Sequence, residues 1–127
     1  MLSTSTLMGF IATADRERAR EFYVGRLGLQ PVGEDQFALV VQAGASAIRI
    51  VSVGAFTPMP FTVLGWEVAD IAEEVAGLIA AGVEFARYSF LEQDGTGIWT
   101  APGGDRIAWF QDPDGNVLSL TQHGSAA

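Results

Sequence analysis

The chain has 127 residues, a formal net charge of −8, 49% hydrophobic residues and no cysteine. That length supports a folded core, and the apolar content argues against disorder. The acidic balance disfavours nucleic acid and anionic membrane as partners, and the lack of cysteine excludes disulfides, thiolate metal sites and a cysteine nucleophile. The first residues do not join a basic segment to an apolar one, and no apolar run approaches membrane-spanning length, so a soluble, cytoplasmic protein is expected.

Leu7 to Ala12 reads as a strand. Asp15 is a good helix N-cap, and Ala19, Phe22, Tyr23 and Leu27 fall at helical spacing, which predicts a helix over Arg16–Leu27 that stops at Gly28. Gln30–Val32, Phe37–Gln42 and Ala47–Val53 read as three further strands. Gly54 to Pro60 holds two prolines and a glycine and reads as a connection.

The pattern then restarts. Thr62–Val68 reads as a strand, and Asp70 followed by Glu73 forms a capping box. Ile71, Val75, Leu78 and Ile79 line one helical face, and Gly82 ends the helix. Strands are predicted over Glu84–Phe90, Ile98–Thr100, Arg106–Gln111 and Asn116–Gln122, with a polar turn over Glu92–Gly97. The last two strands flank Asp112-Pro113-Asp114-Gly115-Asn116, a dense cluster of turn formers that reads as a tight hairpin. Alternation places Val117 and Ser119 on one face of the final strand and Leu118 and Leu120 on the other. Residues 124–127 read as a frayed tail.

The caps Asp15 and Asp70 lie about 55 residues apart, and each follows a strand and precedes a helix and a run of three or more strands, so one unit occurs twice. The expected fold is α+β: two tandem βαβββ modules forming a cupped mixed β-sheet, with helices on its outer face. The division is one domain over 1–127, with module one at about 5–54, a linker at 55–60 and module two at about 61–123.

The doubled plan, together with Ala14-Asp15, Glu21-Phe22-Tyr23, Leu27-Gly28-Leu29, Val68-Ala69-Asp70, Ala81-Gly82-Val83 and Phe110 to Asn116, resembles the vicinal oxygen chelate superfamily. That group includes glyoxalase I, extradiol dioxygenases, and fosfomycin- and bleomycin-resistance proteins. The resemblance spans essentially the whole chain. It implies a cup in which the metal enzymes hold a divalent ion through His or Glu ligands. The matching positions here are Met8, Val63 and Ser119, with Arg49 nearest to a further ligand or pocket position. A thioether, an isopropyl group and a neutral hydroxyl do not make a divalent site, so no metal and no other cofactor is expected.

What remains is an apolar lining with a few polar groups. Met8, Val63, Phe10 and Trp109 supply the apolar part, and Arg49, Glu67, Gln111 and Ser119 the polar part, as in small-molecule pockets. Arg49 reads either as a partner of Glu67 or as a holder of an anionic ligand. Ser119 lacks an activating histidine and reads as a hydrogen-bonding residue, and His123 reads as a surface residue. The leading expectation is a metal-free binder of a small apolar, aromatic or cationic molecule, leaning away from an enzyme. The alternatives are a lyase or dioxygenase of the superfamily, metal-dependent or with Glu67 as base, and a structural or regulatory module whose cup is self-filled. By resemblance alone, a homodimer is expected.

Overall fold

The structure is a computed structural model in which residues 1–124 are described. Chain contacts divide it into two compact units, Met1–Pro58 and Met59–Ala127.

In the first unit, strand β1 (Met8–Thr13) leads to helix α1 (Arg16–Arg20), followed by β2 (Gln30–Glu34), β3 (Ala38–Ala43) and β4 (Ser46–Ser52). The sheet order is β1-β4-β3-β2, with β1 and β4 parallel and the remaining pairs antiparallel. Register places Ile11, Ile50 and Leu39 in one row, and all three are buried. Ala19, Phe22 and Tyr23 are buried as well, and α1 packs on β4. The adjacent row, Phe10, Arg49 and Val40, lies on the opposite face.

The predicted helix over Arg16–Leu27 needs a correction. Asp15 caps it through the Arg18 N–H, but α-helical geometry ends at Arg20 and a wider π turn runs over Glu21–Arg26. Leu27 N–H donates to Phe22 O at 2.9 Å, one residue farther back than in an α-helix. The widened turn accompanies burial of two consecutive aromatics, Phe22 and Tyr23. Arg16 and Arg20 both reach Glu34, at 3.2 and 2.5 Å, and tie α1 to β2. Their guanidiniums, Arg20 first, hold the Glu34 carboxyl below its ordinary range.

The second unit runs β5 (Thr62–Glu67), α2 (Ile71–Ala80), β6 (Trp99–Thr100), β7 (Arg106–Gln111) and β8 (Val117–Gln122). Its sheet order is β5-β8-β7-β6, with β5 and β8 parallel. Asp70 caps α2 by accepting from Glu73 N–H, and Gln122 Oε1 accepts from Ile71 N–H at 2.9 Å, joining the helix start to β8. Ile71 and Val75 are buried, as are Ala108, Phe110, Leu118 and Leu120, and α2 packs on β7 and β8.

The β7–β8 hairpin forms as expected. Asp112 Oδ1 accepts from Asp114 N–H and Asn116 N–H, each at 2.9 Å, and Asp112 Oδ2 accepts from Asn116 Nδ2 at 2.8 Å. Gly115 supplies the positive φ of the turn. Asp112 and Asn116 are both buried, so removing the carboxylate strands buried donors. Asp112→Ala is expected to lower stability by about 2–4 kcal/mol, read as a fall in the denaturation midpoint at unchanged slope. Asp112→Asn is expected to cost less.

Candidate functional site on the open face of the second sheet

Alternation along β7 and β8 sends Ala108, Phe110, Leu118 and Leu120 to the face that carries α2. Ile107, Trp109 and Gln111, with Val117, Ser119 and Thr121, lie on the other face, which carries no helix and is called the open face; Val117 and Ser119 are themselves buried there. One row of that face runs Gly65, Ser119, Trp109 across β5, β8 and β7. The next runs Glu67, Thr121, Ile107, Trp99.

The rows place a bare backbone position beside the hydroxyl. A Cβ at Gly65 would come 2.8 Å from Ser119 Oγ, so Gly65 makes room for that hydroxyl. Val63 stands where the ladder slips between Thr62 and Leu64, a bulge at the start of β5. Gly65, not Val63, is therefore the β5 residue opposite Ser119.

On the other side of Ser119 is an aromatic surface. The Trp109 ring lies 6.1 Å from Trp99, and Tyr88 meets Trp109 edge-on at 5.4 Å. Phe90, 5.6 Å from Tyr88, is 80% exposed. A cleft of about 490 Å³ opens between Phe90–Glu92 and Ile98–Thr100, with Trp99 in its wall.

The segment that carries Tyr88 and Phe90 corrects a second expectation. Glu84–Phe90 is not a strand; only an isolated bridge joins Phe85 to Phe110. The Gln93 side chain does part of a strand's work. Its Oε1 accepts from Tyr88 N–H at 2.8 Å, and its Nε2 donates to Ala86 O at 2.9 Å and Gly97 O at 2.8 Å. Arg87 donates to Asp94 O and Gly95 O, at 2.5 and 2.6 Å. Burial opposes ionisation of Asp94, but the amides of Ile98 and Thr96, with the Thr96 hydroxyl, hold its carboxyl below the ordinary range. The polar stretch Glu92–Gly97 is thus tied down by its own side chains.

Glu67 finds its partner within this unit. Glu67 Oε1 lies 2.9 Å from His123 Nε2, and His123 Nδ1 lies 3.4 Å from Asp105 Oδ2. These partners, Glu67 first, hold the His123 imidazole above its ordinary pKa. His123 is exposed, as expected, yet it belongs to the same face as Ser119.

The structure therefore groups the sequence-derived residues by unit. Trp109, Ser119, Gln111 and Glu67 share the open face of the second sheet, with Val63 at its bulged edge. Met8, Phe10 and Arg49 lie in the first unit, where Phe10 and Arg49 are register partners. Sequence reasoning did not weigh Trp99, Tyr88 or Phe90. Trp99 was within reach, because a two-residue strand pairing with Ile107 puts it beside Trp109. Tyr88 and Phe90 depend on the Gln93 bonds, which carry no sequence signature.

The side chains matched to metal positions do not fit a divalent ion, since Met8, Val63 and Ser119 offer no carboxylate, imidazole or thiolate. Among the described residues, no three His, Cys, Asp or Glu side chains gather as a metal site. Among them, too, no helix is long and apolar enough to cross a membrane.

No protein-family model matches the chain, and no curated protein matches it. Solved structures do. A member of the glyoxalase/bleomycin resistance protein/dioxygenase superfamily from Sphaerobacter thermophilus is similar with TM-score 0.76 at 24% identity, over 97% of this chain and 100% of that one. A glyoxalase/bleomycin resistance protein from Catenulispora acidiphila gives TM-score 0.70 at 21% identity, over 92% and 96%. A lactoylglutathione lyase from Agrobacterium tumefaciens gives 0.71 at 16% identity, over 94% and 93%. The chain has the glyoxalase/bleomycin resistance protein/dioxygenase fold, the vicinal oxygen chelate fold, built from tandem βαβββ units.

Gln93→Ala leaves Tyr88 N–H, Ala86 O and Gly97 O without these partners. It is expected to cost about 1–3 kcal/mol and to weaken the near-ultraviolet circular dichroism of the packed aromatics, measured on the folded variant.

Proposed function

We propose that the chain is a member of the glyoxalase/bleomycin-resistance superfamily that binds a small aromatic, apolar or cationic molecule on the open face of its second sheet, without a metal. The observation that carries this reading is the Trp99–Trp109–Tyr88 surface, half-exposed on the face opposite α2, with Ser119 and Gln111 beside Trp109 and Glu67 farther along the same face on β5. Aromatic walls with few polar groups are what small-molecule sites use, and ring stacking contributes about 0.5–1.5 kcal/mol beyond area burial. Ser119 supplies a hydroxyl whose space is kept by Gly65. Glu67 supplies an anchor for positive charge, in keeping with the net charge of −8.

The matched metal positions support binding over metal catalysis, because their side chains cannot ligate a divalent ion. Exposed Met8 and Phe10 in the first unit, 49% and 63% accessible, support the further proposal of a homodimer that covers them.

A thermal-shift screen of small aromatic and quaternary ammonium compounds tests the reading. A true ligand at 100 times its dissociation constant is expected to stabilise by about 2.7 kcal/mol. Trp109→Ala is expected to weaken it by about tenfold, and Gly65→Ala to weaken it through Ser119. Stoichiometric divalent metal in the purified protein, or hits indifferent to Trp109→Ala, would overturn the reading.

A further inference from the structure

The pairing of Arg106 with Gln122 sets Asp105 beside His123 at the next rung, and alternation sends both to the open face. Glu67 approaches the same imidazole from β5. Both ring nitrogens therefore meet a carboxylate, Nε2 at 2.9 Å from Glu67 and Nδ1 at 3.4 Å from Asp105. A neutral imidazole has one N–H and can satisfy only one of these acceptors; the imidazolium satisfies both. The backbone around the ring is fixed as well. Gly124 N–H donates to Asp105 Oδ1 at 2.7 Å, and a Cβ at Gly124 would come within 2.7 Å of Gly104 C, so residues 122–124 lie tightly against the 103–105 turn.

We propose that His123, Glu67 and Asp105 form a pH-sensitive clasp at one end of the open face that gates a cationic ligand by charge: protonated His123 offsets the Glu67 and Asp105 carboxylates, and neutral His123 leaves their full negative charge to the ligand. This rests on the ligand-binding reading of that face. The other charged groups nearby point elsewhere. Alternation turns Arg106 to the α2 face, and Asp70 caps α2. The remaining neighbours in the row, Thr121 and Ile107, do not titrate.

His123 is held above its ordinary value, by Glu67 first and then Asp105. The clasp is therefore complete below the unfolded value, about 6.5, and is lost as pH rises through the folded value. Neutralising His123 raises the negative charge of the cluster by one unit. The field at a bound cation strengthens accordingly, by an amount corresponding to about fivefold in affinity at contact distance in water.

The chain contains one histidine, so its proton resonances are unambiguous by NMR. In the full chain without ligand, the His123 midpoint is expected above the ordinary value and is expected to fall in Glu67→Gln and in Asp105→Asn. A midpoint at or below the ordinary value, unmoved by Glu67→Gln, overturns the clasp. Calorimetric titration with benzyltrimethylammonium, whose charge does not depend on pH, tests the gate. Binding is expected to tighten about fivefold from pH 6 to pH 9, and the pH dependence is expected to vanish in His123→Asn. Benzyl alcohol, the neutral control, is expected to bind alike at both pH values. Equal affinity for the cation at pH 6 and pH 9 overturns the gate and leaves the binding reading standing. Absence of binding at both pH values, beside the expected His123 titration, overturns the binding reading and the gate while the clasp itself stands.

Discussion

The buried Asp112 carboxylate gathers three donors from the turn that follows it, Asp114 N–H, Asn116 N–H and the Asn116 amide. This local knot fixes where β8 begins relative to β7. Because side chains alternate along a strand, a slip of one residue would exchange the two faces of the hairpin completely. With the register as it is, Phe110, Leu118 and Leu120 fill the core beneath α2 and Trp109 and Ser119 are left on the open side. Core and candidate site in this unit thus follow from the same five-residue turn.

The same alternation distributes polar chemistry at the end of β8. Gln122 turns toward α2 and accepts the Ile71 N–H, while His123 turns to the open face and meets Glu67 and Asp105. Neighbouring residues thereby serve a helix terminus on one side and a titratable cluster on the other. The close approach of Gly65 to Ser119, and of Gly124 to Gly104, shows how little spare volume these contacts leave. In the first unit the pattern is similar: Ile11, Ile50 and Leu39 are buried, while Phe10 and Arg49 occupy the opposite face.

Much of this was legible in the sequence because its causes are local. The caps Asp15 and Asp70, the Asp112–Asn116 turn and the alternation of Leu118 and Leu120 with Ser119 and Thr121 each announce themselves within a few residues, whereas the apolar run Ile107–Phe110 does not tell its two faces apart and Trp109 was placed by resemblance. The failures have non-local or side-chain causes. Residues 84–90 alternate plausibly, yet their backbone partners are largely the Gln93 amide and a single bridge to Phe110. Helical spacing around Phe22 does not distinguish an α turn from the π turn that occurs there. The Glu67–His123 contact joins residues 56 positions apart, so neither residue alone suggests it. The tail expected to fray at 124–127 begins with Gly124 bound to Asp105; residues 125–127 lie outside the described residues.

The three tryptophans provide the most direct test. Trp99 and Trp109 lie on the open face, whereas Trp66 stacks on Phe110 on the face that carries α2. With 5-fluorotryptophan incorporated, fluorine NMR during titration with benzyltrimethylammonium reads both faces at once. The Trp99 and Trp109 resonances are expected to move saturably while that of Trp66 stays in place. Movement confined to Trp66, or no movement at any of the three, would contradict binding on the open face.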